Sequence, residues 1–219
     1  MKTKKVVLIV VLCIVVLLIA IWGIREYALW NDGNLQKDNS MSREEVLELL
    51  KKGEEYPNYH VSFVGSNNEK YDIYVKDNVF VEYCNNEFRL REDYNTNEYI
   101  MIFKTADKEV AGVNSNLEKL EYQQGSTNYS IINKLDYKYL GEKELDGRQV
   151  IYIQLKNGSA YTKFAIDKET GIIINRIDLS KAFIFTTNKN ESKRELKLDV
   201  VTDEDVARPD LSKYEVVEE

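Results

Sequence analysis

The chain has 219 residues, room for one domain of ordinary size and an appendage. It carries 30 basic and 37 acidic residues, and residues 31–219 alone hold 26 and 36, a net charge of −10. A domain this acidic is not drawn to nucleic acid or to an anionic membrane surface by its overall field, so a nucleic-acid partner is not expected.

The appendage is the run from Val6 to Ile24, nineteen residues without a charge. As a helix it measures about 28 Å, close to the ~30 Å hydrocarbon thickness of a bilayer. Val6, Ile9, Leu12, Val15, Leu18, Ile21 and Ile24 are its membrane-facing anchor residues, and the bilayer is the first expected partner. Lys2, Lys4 and Lys5 precede it, and Trp22, Tyr27 and Trp30 stand at its far end. Basic residues favour the cytoplasmic side and aromatic residues the interface, so the helix runs from inside to outside. A cleaved signal would have a shorter apolar core and a small-x-small site, and Trp22-Gly23-Ile24-Arg25 offers none. The expected layout is a cytoplasmic tail (1–5), a single-pass anchor in the cell membrane (6–24), a linker (25–41), an extracytoplasmic domain (42–215) and a short tail (216–219).

Asp32 to Met41 is polar and aperiodic, as in a linker. Ser42-Arg43-Glu44-Glu45 is a capping-box pattern opening a helix over Arg43–Lys52, with Val46, Leu47, Leu49 and Leu50 on its apolar face and Gly53 as a stop signal. From Tyr59 the period changes to two. Tyr59, Val61 and Phe63, then Tyr71, Ile73 and Val75, then Val79, Val81 and Tyr83 alternate with polar residues, with turns at Ser66-Asn67-Asn68 and Asp77-Asn78. Phe88 to Arg91 and Glu98 to Phe103 add two more strands. Lys104 to Val113 reads as an exit from the sheet, and Leu117, Leu120, Ile131, Ile132 and Leu135 as one or two short helices.

A second run of strands fills Tyr137 to Tyr214. Its gaps carry Asp146-Gly147, Asn157-Gly158 and Lys168-Glu169-Thr170-Gly171, the chemistry of tight hairpins. Ile151, Ile153 and Leu155 oppose Gln154 and Lys156, and Thr162, Phe164 and Ile166 oppose Lys163 and Asp167. Leu196, Leu198 and Val200 oppose Lys197 and Asp199. The pattern predicts one apolar and one wet face. Eight to ten strands with helices before and between the two runs give an α+β fold, a long antiparallel sheet curled into an unclosed barrel over a few helices.

The residues of chemistry are sparse. His60 is the single histidine, on the polar side of a strand with no evident partner. Hydrolase, zinc-protease, dinucleotide and nucleotide-triphosphate patterns are absent from the sequence. Asp203-Glu204-Asp205 lacks the spacing of a calcium loop, and Glu142, Glu144 and Asp146 read as a charged strand edge. Cys13 lies in the apolar run and leaves Cys84 alone, which excludes a disulfide within the domain. Asn128, Asn157 and Asn190 head Asn-x-Ser sequons and read as turn residues. Neither a cofactor, a metal nor a catalytic residue is expected, and the chain does not read as an enzyme.

The abundant feature is aromatic, with 15 Tyr and 7 Phe concentrated on the predicted strands. They either fill a core or line a cavity. If a cavity, its apolar-ligand face comprises Tyr59, Phe63, Tyr71, Ile73, Tyr99, Phe103, Ile151, Ile153, Phe164 and Ile166.

A capped helix and a strand meander lead here into Tyr139-Leu140-Gly141, Asp146-Gly147-Arg148 and Ile166-Asp167-Lys168-Glu169-Thr170-Gly171, closing on Pro209-Asp210-Leu211. Over roughly residues 42–215 this order resembles the LolA/LolB-like superfamily of lipoprotein carriers, with its RseB stress sensors and germination lipoproteins. The resemblance implies an unclosed barrel lidded by helices, and an apolar cavity for a lipid, a lipoprotein acyl chain or an envelope protein. The anchor departs from the carriers, because a tethered protein cannot shuttle between membranes. The expectation is therefore a membrane-tethered, non-enzymatic binding domain. The alternative is a solid-cored interaction or sensor module in envelope or spore signalling.

Overall fold

The structure is a computed structural model that describes residues 2–30, 35–36, 40–65, 67–105, 107–115, 134–182 and 185–218. Leu117, Leu120, Ile131 and Ile132 of the expected helices and the Asn128 sequon lie outside these residues.

Helix α1 (Lys2–Trp30) holds the apolar run, and its Val6–Trp30 portion is long and apolar enough to cross a membrane. Helix α2 (Arg43–Glu54) starts where the capping box places it. The Glu45 amide donates to Ser42 Oγ at 3.2 Å, and the Ser42 amide donates to Glu45 Oε2 at 2.7 Å. It runs past the expected stop at Gly53, with Glu55 as its C-cap in a right-handed conformation. Gly53 serves close approach instead. It packs against Gly171, whose φ is +81° and where a Cβ would overlap the Leu49 carbonyl.

Among the described residues twelve strands form one sheet in the order β12-β6-β5-β4-β3-β2-β1-β11-β10-β9-β8-β7. The first half is β1 (Asn58–Val64), β2 (Lys70–Lys76), β3 (Val79–Cys84), β4 (Glu87–Asp93), β5 (Glu98–Lys104) and β6 (Glu109–Asn114). The second is β7 (Asp136–Leu145), β8 (Arg148–Asn157), β9 (Ala160–Asp167), β10 (Ile173–Ala182) and β11 (Phe185–Leu198). Asp77-Asn78, Asn85-Asn86 and Asp146-Gly147 turn the hairpins with φ between +48° and +79°, the conformation that matches strand twist across a two-residue loop. β11 joins the halves, pairing first with β10 and then with β1.

Two segments depart from the sequence reading. Glu109–Asn114, expected to leave the sheet, pairs with β5, because Val110 and Ala111 are apolar enough to be buried. At the C-terminal end, β12 (Glu215–Glu218) lies parallel to β6, so the sheet is mixed rather than wholly antiparallel. The segment before it crosses the first half-sheet and packs Val201 and Val206 on Val79 and Val81. Buried Arg91 fixes that crossing, donating to the Val206 carbonyl at 3.1 Å and pairing with Asp93 at 2.8 Å.

α2 seats Val46, Leu47 and Leu50 on Ile151, Ile153, Leu155, Phe164, Ile166 and Ile173. Fully burying such a side chain contributes about 1.5–3 kcal/mol, so this contact is the main stabilising layer. The opposite face was expected to be wet and is not. Val150, Tyr152, Ala165 and Ile174 pack there with Leu35, Leu140 and Leu145, while Lys163 and Asp167 are each 1% exposed. Leu35 and Gln36 of the linker cover part of that face, Gln36 exchanging backbone hydrogen bonds with Glu142 at 2.9 and 3.0 Å. Gly141 makes room for this, since a Cβ there would meet the Gln36 carbonyl.

Candidate functional site

Cross-strand partners share a face, so the register defines the site. Tyr59, Val61 and Phe63 of β1 stand opposite Val75, Ile73 and Tyr71 of β2, and opposite Leu198, Leu196 and Arg194 of β11. Val75 and Ile73 stand opposite Phe80 and Glu82 of β3. Near the C-terminal end of α2, the apolar residues Tyr59, Val61, Ile73, Phe80 and Ile173, with Glu54 and Arg194, line a slot of about 180 Å³. A larger cleft of about 570 Å³ opens around Phe63, Val64, Ile174, Leu196 and Arg194, with charged residues at its rim.

The residues expected on the ligand face separate into two groups. Ile151, Ile153, Phe164 and Ile166 are at most 6% exposed and belong to the filled core under α2. α2 lies on the second half-sheet, which is why periodicity there gave a core and no void. Tyr59 and Ile73 line the slot, and Phe63 lines the cleft with Tyr71 stacked on it at 5.1 Å. Tyr99 is buried and donates to Met101 Sδ at 3.3 Å, while Met101 and Phe103 are 39% and 38% exposed.

Three residues of this face were not picked out from the sequence: Phe80, Met101 and Arg194. Arg194 had a readable signal. It stands in the same phase of β11 as Leu196 and Leu198, an arginine in an apolar register. Its Nε is enclosed without a hydrogen-bond partner, and its guanidinium lies 5.0 Å from the Phe63 ring centroid. Burial, and then the nearby Arg176, push its pKa below the usual arginine value. Tyr59 is pushed up to about 12, chiefly by burial, with Arg194 opposing the shift. Burial likewise raises the Glu54 carboxyl at the slot's edge.

The far end of α1 docks on the other side of the sheet. Trp30 Nε1 donates to Thr186 Oγ1 at 2.9 Å, and Thr186 donates to Glu26 through its hydroxyl at 2.6 Å and its amide at 3.1 Å. Trp22 lies against Phe185, and Lys181 Nζ sits 3.6 Å from the Trp30 ring centroid. Buried Lys163 donates to the Trp30 carbonyl at 3.2 Å, a cation at the negative end of a helix dipole. That partner explains why Lys163 is buried on a strand face expected to be wet.

His60 is not the isolated surface histidine expected. It is half-buried, with Nε2 at 2.9 Å from Asp72 Oδ1 and its ring stacked on Tyr74. Burial alone would raise the Asp72 pKa, but hydrogen bonds from Lys70 and His60 hold it below the usual value. A triad would also need a nucleophile hydroxyl on the imidazole, and among the described residues none is bonded to it. Asp205 accepts from the Thr202 amide and hydroxyl, Asp203 pairs with Lys76, and Glu142 pairs with Lys168 at 2.7 Å. Among the described residues, no group of three His, Cys, Asp or Glu side chains is placed to hold a metal.

The architecture is that of an unclosed α+β barrel, and solved structures share this fold at low sequence identity. An uncharacterized conserved protein from Thermus thermophilus matches 82% of this chain and all of its own, at 14% identity and a TM-score of 0.54. MucB of Pseudomonas aeruginosa, solved with MucA, is covered over 61% of its length, at 11% identity over 76% of this chain and a TM-score of 0.44. The lipoprotein LppX of Mycobacterium tuberculosis is covered over 99%, at 12% identity over 74% of this chain and a TM-score of 0.42. These likenesses are of fold. No family model matches the chain, and no curated protein does.

Proposed function

We propose that this chain is a membrane-tethered, non-enzymatic domain on the outer face of the cell membrane, and that its first half-sheet takes up a lipid or the acyl chain of a lipoprotein. The observation that carries the reading is the unequal covering of one apolar surface. α2 seals the second half-sheet, while the continuation over β1–β3 and β5 keeps an apolar slot and leaves Met101 and Phe103 exposed. Exposed apolar surface continuous with a slot favours an apolar occupant.

The tether is supported by the joint between α1 and the sheet. If α1 were cleaved away, Lys163 would lose the carbonyls it caps and Thr186 its carboxylate. Lys2, Lys4 and Lys5 favour an N-terminus inside and a domain outside. A domain of net charge −10 held this way stands off an anionic lipid surface, so a ligand reaches the slot as a single molecule.

Native mass spectrometry of the full-length protein tests this. The expected result is one retained lipid of defined mass, lost when Ile73→Trp fills the slot. A protein carrying no retained lipid, or one whose adducts are unchanged by Ile73→Trp, overturns the reading.

A further inference from the structure

The slot and the cleft share Arg194, which sits where β11 leaves β10 at the Asn175–Lys193 pair and joins β1 at the Phe63–Arg194 pair. The other cations lining the cleft are taken. Lys70 pairs with Asp72 at 2.8 Å, Arg148 with Asp167 at 3.2 Å, and Lys193 with Asp146 at 2.8 Å. Among the described residues Arg194 has no such carboxylate, and its enclosed Nε–H has no acceptor. A guanidinium has five donors in a fixed fork and does not shed its proton in a protein. A cation held in this way against an aromatic ring has a donor to offer to an anion that enters from outside. The anions its fork fits are carboxylate and phosphate, each held by two parallel hydrogen bonds.

The surroundings define the rest of the ligand. On one side of Arg194 lies the slot walled by Tyr59, Ile73 and Phe80, and on the other the open cleft with its charged rim. A slot walled by Tyr59, Ile73 and Phe80, joined through one cation to a cleft rimmed by charged side chains, suits a molecule with an apolar body and an anionic head. We propose that Arg194 binds the carboxylate or phosphate head of an anionic amphiphile whose hydrocarbon lies along Tyr59, Ile73 and Phe80. The cleft, at about 570 Å³, is within the ~300–1,000 Å³ of ordinary ligand sites and holds the head. The slot, at about 180 Å³, takes only part of a long chain, and the remainder runs along the same face toward Met101 and Phe103. This inference rests on the acyl-binding reading above and adds the charge of the ligand and the residue that selects it.

The full-length protein in nanodiscs of zwitterionic phosphatidylcholine, photolabelled with a diazirine stearic acid or its methyl ester, tests it. Labelling of peptides covering residues 59–80 is normalised to labelling of α1, which reports probe concentration in the bilayer. The acid is expected to label this face at least tenfold more than the ester. Arg194→Gln and Arg194→Met should each abolish that preference, and Arg194→Lys should keep part of it. Because the contact is enclosed, the preference should persist at high salt, where attraction to surface charge fades. Competition by palmitate alone assigns a carboxylate head, and competition by lysophosphatidylglycerol alone a phosphate head. Equal competition by lysophosphatidylcholine, or competition only by an acidic peptide without an acyl chain, overturns the proposal. Equal labelling by acid and ester, unchanged in Arg194→Gln, overturns the role of Arg194 and leaves the acyl-binding reading standing. Labelling of α1 with none on residues 59–80 overturns both.

Discussion

The two half-sheets are built from the same alternating pattern and end differently. β7–β10 is closed on one face by α2 and covered in part on the other by Leu35 and Gln36, with the end of α1 docked beside them. β1–β5 is closed on one face by Val201 and Val206, and keeps a slot and exposed apolar residues on the other. An apolar strand face thus declares that something covers it without declaring whether that is a helix of the same chain or a ligand. Function is sought on the half that the described residues leave open.

The largest expected effect breaks the closed half. Gly171→Ala combines a φ of +81° with overlap on the Leu49 carbonyl, so α2 cannot seat on the sheet. A loss of at least ~3 kcal/mol is expected, read as a collapse of the denaturant midpoint. Next, Ile153→Ala and Ile73→Ala compare the halves directly. The first leaves a void in a filled core and should cost about 2–5 kcal/mol. The second removes a side chain already beside a void and should cost less than half as much, read in the same chemical denaturation series.

Smaller effects follow from titration. Asp72 is held below its ordinary 3.8, so the unfolded chain takes up a proton at higher pH than the folded one. Its contribution is complete above about pH 4 and is lost as pH falls through the folded value. Asp72→Asn should flatten that acid limb in stability measured against pH. Tyr59, Tyr137 and Tyr139 are each raised from 10.0 to about 12, chiefly by burial. Here the folded state disfavours the phenolate, so stability present below pH 10 is lost between pH 10 and 12. Absorbance titration should find these three phenols among the late ones, and Tyr59→Phe should remove one.

Much of the fold was legible because local chemistry determined it. The Ser42–Glu45 box, the Asp77-Asn78 and Asp146-Gly147 turns and the period-two strands each act over a few residues. What escaped depends on distant partners. Lys163 read as solvent-facing because its acceptors are the last carbonyls of α1, more than a hundred residues away. Gly53 read as a helix stop because its neighbour Gly171 is on another element. The aromatic face was legible as apolar, but Ile153 and Ile73 could not be told apart until α2 was seen to cover only one of them.

The most direct test of the account is a map of labelling by the diazirine stearic acid on the full-length protein in nanodiscs. Labels confined to α1 and to residues 59–80 and 99–103, with residues 151–166 clear, are the predicted result. Labels spread evenly over both half-sheets, or confined to α1, would contradict it.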